Sequence, residues 1–75
     1  MIISSGNQTE EILQENIKYV LLTMRNGSVR KIYPYNISDL MDPNLMNNAT
    51  KLEVYTKSSK VPLPFDLSVW SVVSD

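Results

Sequence analysis

The chain has 75 residues, 43% of them hydrophobic and 20% charged, and carries a net charge of −1, the profile of one small globular domain spanning 1–75. With no cysteine and no histidine, disulfide staples, thiolate zinc sites and the commonest general base are excluded, and neither a cofactor nor a metal is expected. The near-neutral balance argues against a surface built wholly to grip nucleic acid.

Residues 1–5, MIISS, are a short apolar start that suits an edge strand. NQTEEILQEN then reads as the opening of an N-terminal helix. Asn7 stands three before Glu10, a capping-box spacing, with Thr9 as the alternative cap. Glu10 and Glu11 fall in the first turn, where the helix dipole favours anions.

Leu13, Ile17, Val20, Leu21 and Met24 recur at three- and four-residue spacing, which would carry that helix to Arg25. The composition of IKYVLLTMR is nevertheless β-favouring, and Asn26-Gly27 is a strong hairpin signal. The expected element is therefore a hairpin, 17–25 against 28–33. A two-residue turn pairs Met24 with Val29, Thr23 with Arg30 and Leu22 with Lys31. Its core face carries Val20, Leu22, Met24, Val29 and Tyr33. Arg25 and Arg30 fall on one face, Lys18 and Lys31 on the other.

Pro34 ends the second strand. In NISDLMDPNLMNN, Ile37, Leu40 and Met41 have helical spacing, and Asp42-Pro43 reads as the cap and first position of a new turn, so one short helix is expected. TKLEVYTK, 50–57, alternates cleanly as a strand guarded by lysines. SSKVPLP is a loop, with Pro62 and Pro64 holding Val61 and Leu63 extended. The run 67–73 closes the chain as a final strand. The fold class is thus α+β, with a small, mostly antiparallel sheet.

The passage NGSVRKIYPYNISDLM, within Lys18 to Val73, is similar in order to a β-grasp (ubiquitin-like) module. The resemblance implies a hairpin followed by a helix and further strands, and implies no function.

Candidate chemistry is sparse. Ser58, Ser59 and Lys60 cluster in a loop, and Asp39, Asp42 and Asn44 form an oxygen-rich group that helix capping explains. Four Asn-X-Ser/Thr triplets start at Asn7, Asn26, Asn36 and Asn48, and Asn in these settings equally serves caps and turns. The constellation with functional reach is the basic hairpin, with Tyr19, Tyr33 and Tyr35 nearby. The expected function is a small non-catalytic protein-interaction module, binding a larger protein or a second copy of itself through Arg25, Arg30, Lys31, Tyr33, Leu45 and Met46. Small size and Asn- and Ser-rich composition suit a viral or phage accessory factor that modulates a host protein, acting in the cytoplasm. The alternative is a nucleic-acid-binding regulator using Lys18, Arg25, Arg30 and Lys31. No run approaches the roughly 18 apolar residues of a membrane span, so no membrane partner is expected.

Overall fold

The N-terminal segment turns back on itself instead of winding into a helix. A computed structural model describes residues 1–75. In it, β1 (Ile2–Ser5) pairs antiparallel with β2 (Gln8–Glu11), closed by the pair Ser5 and Gln8. The two-residue loop between them is Gly6-Asn7, with Gly6 at φ +57°. A glycine with positive φ at the first loop position is what a tight hairpin turn of this twist requires. The expected N-terminal helix is therefore overturned. Asn7, Thr9 and Glu10 are exposed in a turn and edge strand, because residue types that cap helices also suit turns.

In place of the expected α+β domain with one small sheet, the chain is mostly β, with 48% of its residues in strands that form two sheets. After a three-residue 3-10 turn at Gln14–Asn16 come β3 (Ile17–Met24) and β4 (Val29–Ile32), then β5 (Ala49–Thr56), β6 (Leu63–Asp66) and β7 (Ser71–Ser74). They build two antiparallel sheets, ordered β2-β1-β7 and β4-β3-β5-β6. The intervening helical content is a 3-10 segment, Pro34–Met41, kinked at Asn36, followed by the single turn α1 (Pro43–Met46). Asp42 caps α1, its carboxylate accepting from the Asn44 N–H at 2.9 Å. No long helix crosses a sheet, so the β-grasp order is not realised. Proline at 34 and 43 confines each helical piece to a start and prevents one continuous helix.

The hairpin exists, but its register differs by one from the two-residue expectation. Val20 faces Ile32, Leu21 faces Lys31, Leu22 faces Arg30 and Thr23 faces Val29. The Met24 N–H donates to the Ser28 carbonyl at 2.8 Å, and Gly27 N–H returns to the Met24 carbonyl at 3.0 Å. The loop thus has three residues, Arg25-Asn26-Gly27, with Gly27 at φ +87°, the three-residue hairpin with glycine in the left-handed position. Asn26 completes it by accepting from the Ser28 N–H at 2.9 Å and hydroxyl at 2.6 Å. A one-residue slip exchanges the faces of one strand relative to the other. Ile32 therefore enters the core, while Val29 and Tyr33 are displaced from the expected core face, 57% and 39% exposed.

Two bulges tune the central pair β3–β5. Lys18 is the extra residue at one end and Thr50 at the other. Each breaks the alternation once, so that Ile17 and Val20, and likewise Ala49 and Leu52, are buried. The Thr50 hydroxyl bonds the Thr23 carbonyl at 3.3 Å across its bulge.

Fourteen buried apolar residues form one core cluster. Ile3 and Ile12 come from the smaller sheet's side, Val20, Leu22, Leu52 and Val54 from the larger sheet, and Ile37 and Leu40 from the 3-10 segment that packs against β3, β4 and β7. The expected final strand 67–73 is strand only from Ser71 onward, its first half being a turn, and Leu63 and Pro64, expected in a loop, open a separate strand instead. Leu63–Asp66 joins the larger sheet, Ser71–Ser74 the smaller, and a turn separates them. Asp66 makes that turn: its carboxylate accepts from the Ser68 N–H at 2.9 Å, and its carbonyl accepts from the Val69 and Trp70 N–H groups at 3.1 and 2.9 Å.

The same contacts with Ser68 hold the Asp66 carboxyl below its ordinary value of 3.8. A lowered folded-state pKa contributes stability above the unfolded value, lost as pH falls through the folded one. Titrating the Asp66 carboxyl carbon by NMR is expected to give a midpoint below 3.8, which Ser68→Gly, losing the hydroxyl but keeping the larger backbone N–H contact, raises only part of the way to that value. A midpoint at or above it would remove the turn's role.

Candidate functional site

All four tyrosines of the chain gather at the solvent face of the larger sheet, Tyr19 and Tyr55 on its strands, Tyr33 just past β4 and Tyr35 in the 3-10 segment beside it. Tyr19 on β3 lies directly across from Tyr55 on β5. Their rings stack, centroids 4.7 Å apart and planes 23° from parallel. Tyr33, just beyond β4, meets Tyr19 edge-on at 6.5 Å, and Tyr35 lies parallel to Tyr33 at 5.6 Å. Lys31, whose register partner is Leu21, places its ammonium 4.2 Å from the centre of the Tyr19 ring and 5.4 Å from that of Tyr33. Such a placement is attractive electrostatically and fixes a cation amid aromatic rings.

Strand alternation explains this face. Tyr19, Leu21 and Thr23 point outward because Val20, Leu22 and Met24 point inward; Glu53 and Tyr55 do so because Leu52, Val54 and Thr56 are buried. Lys51 and Glu53, two apart on the outer face, form an exposed ion pair at 3.7 Å, worth about 0–1 kcal/mol. The face runs from half-buried Tyr19 and Tyr55 to Tyr35, 78% exposed. In a sheet of this size that gradient leaves a solid aromatic base and a free aromatic rim.

The sequence-selected residues divide among three places. Lys31 and Tyr33 belong to the tyrosine face. Arg25, Arg30 and Leu45 line an open polar groove of about 510 Å³ at the hairpin end, together with Asp42, Asn44 and Asn48. Arg25 is held there by two contacts: its Nε donates to the Asn47 carbonyl at 3.1 Å, and its backbone N–H to the Asn48 carbonyl at 2.8 Å. Leu45 and Met46 are half-buried and pack against the core. Met46 also lines an apolar groove of about 330 Å³ with Leu40, Leu67, Trp70 and Val72. Lys18 is exposed at its bulge. The bases thus do not merge into one patch. Tyr55 escaped the sequence reading, although its place opposite Tyr19 follows once strands 17–24 and 49–56 are paired.

No three His, Cys, Asp or Glu side chains come together as a metal-binding group. No helix is long and apolar enough to cross a membrane. Comparison of the chain with protein-family models, curated proteins and solved structures finds no match. The functional reading therefore rests on the surface itself.

Proposed function

We propose that this chain is a small, non-catalytic protein-binding module whose tyrosine face, Tyr19, Tyr33, Tyr35 and Tyr55 around Lys31, docks on a larger protein. The observation that carries this reading is the gathering of every tyrosine onto one solvent-facing sheet surface. Tyrosine supplies large, rigid, amphipathic contact area at low conformational cost, and is enriched where proteins meet. The mutual packing of the rings supports a protein over nucleic acid as the preferred partner. Base binding needs free ring faces, and here Tyr19 stacks on Tyr55 and Tyr33 on Tyr35, so each ring already has one face occupied. Acting as an accessory factor, viral or phage, on a host protein is part of this proposal, supported by small size and composition. So is the cytoplasm, supported by a chain without cysteine, which gains nothing from an oxidising compartment.

The test compares the wild-type chain with Tyr33→Ala/Tyr35→Ala, using affinity capture from host lysate and a salt-titrated oligonucleotide assay in parallel. Both tyrosines lie outside the strands, and the variant is expected to keep its fold. Loss of an aromatic anchor costs about 2 kcal/mol or more, roughly 30-fold in affinity, so a specific partner should drop out of the variant's capture. Capture indifferent to the tyrosines would sink the proposal. Oligonucleotide binding abolished by Arg25→Ala/Arg30→Ala would replace it with the nucleic-acid reading.

A further inference from the structure

Charge is segregated along this chain. Residues 1–17 hold three acidic side chains, Glu10, Glu11 and Glu15, and no lysine or arginine; residues 18–38 hold Lys18, Arg25, Arg30 and Lys31, and no acid. The fold converts this into two open sheet edges of opposite sign. β2, carrying Glu10 and Glu11, is an outer strand of the smaller sheet, and β4, carrying Arg30 and Lys31, is an outer strand of the larger one. Each edge is four residues long, and all four charged side chains are exposed. Apart from the ladder to its own neighbour, no backbone or side-chain hydrogen bond reaches either strand.

We infer that the acidic edge β2 of one copy pairs with the basic edge β4 of a second copy, joining chains head to tail. Unpaired strand edges are templates for exactly matched strands only when side chains agree, and like charges on a lone edge ordinarily repel a second identical edge. Here β2 repels β2 and β4 repels β4, whereas β2 attracts β4. An antiparallel register placing Glu10 opposite Lys31 puts Glu11 opposite Arg30, so both cross-strand pairs are attractive at once, with Thr9 opposite Ile32. The two remaining edges lack this complementarity: β6 contains Pro64, which removes a donor, and β7 carries serines and valines. Because the two surfaces used are different, each added copy leaves a β2 and a β4 free, and assembly grows beyond a dimer unless it closes as a ring.

Mass measured by sedimentation or light scattering on the full chain alone tests this, with no partner present. From about 10 µM to about 1 mM in low salt, the average mass should rise past twice 8.6 kDa. Raising salt from about 50 to about 500 mM should weaken association roughly tenfold. Glu10→Lys/Glu11→Lys and Arg30→Glu/Lys31→Glu should each stay monomeric, with far-UV spectra matching wild type. Mixing the two in equal amounts should restore association, since each then offers what the other lacks. A wild-type chain monomeric throughout, association that ignores either charge reversal, or a mixture that stays monomeric would overturn the inference.

Discussion

Truncating Leu52 to alanine is expected to lower the thermal unfolding midpoint by roughly 12–24 °C. Leu52 is fully buried at the middle of β5, facing Leu22 on one neighbouring strand and Phe65 on the other. Removing its side chain leaves a cavity between three strands that the ladders hold in place, at a cost of about 3 kcal/mol within the usual range for such sites. A chain of this length has a total stability of only about 4–11 kcal/mol, so the loss is a large fraction of the whole. Leu13→Ala, at a side chain 58% exposed, is the matched comparison and should move the midpoint little. Thermal unfolding followed by circular dichroism separates them; equal shifts would mean that the core is not centred on β3 and β5.

Gly27→Val is expected to cost about 1–3 kcal/mol and to loosen β4 selectively. Nothing lies within 4 Å of where a side chain at 27 would start, so crowding is not the reason. The cost is conformational: at φ +87° a β-branched residue is strained. Since this loop holds the register, the effect should concentrate on amides of Val29–Ile32, whose hydrogen exchange should accelerate while residues 51–54, paired with both β3 and β6, stay protected. Gly27→Asn should be milder, because asparagine visits the left-handed region more readily. Uniform acceleration across both strands would show that the loop has no special role in β4.

The central pair of strands was legible in the sequence because alternation and β-favouring composition agreed there. Residues 17–24 and 49–56 match the expected strands to within a residue. The turn at Asn26-Gly27 was also legible, but its register was not. The choice between two and three loop residues is made by burial: the observed pairing sinks Ile32 beside Val20, whereas the shorter loop would have sunk Tyr33 and Val29. That same parity sets the candidate site, since it turns Tyr33 and Lys31 to the face already holding Tyr19 and Tyr55. The N-terminal hairpin was missed because Asn7, Thr9 and Glu10 fit a capping box and a turn equally, while Gly6 in Ser5-Gly6-Asn7-Gln8 carried the discriminating signal. The strand Leu63–Asp66 and the turn after it were missed because Asp66 and Ser68 redirect the chain through local hydrogen bonds that no periodicity records.

The partition of aromatic residues has a spectroscopic consequence. Trp70 is the chain's one tryptophan, set edge-on to Phe65 at 5.0 Å and lining the apolar groove beside Met46, while every tyrosine belongs to the outer sheet face. Indole emission therefore reports on the groove and the core beneath it, and phenol absorption reports on the outer face. A partner seated on the tyrosines should perturb the phenol bands while leaving the indole maximum in place, so one unlabelled titration tells which surface is occupied.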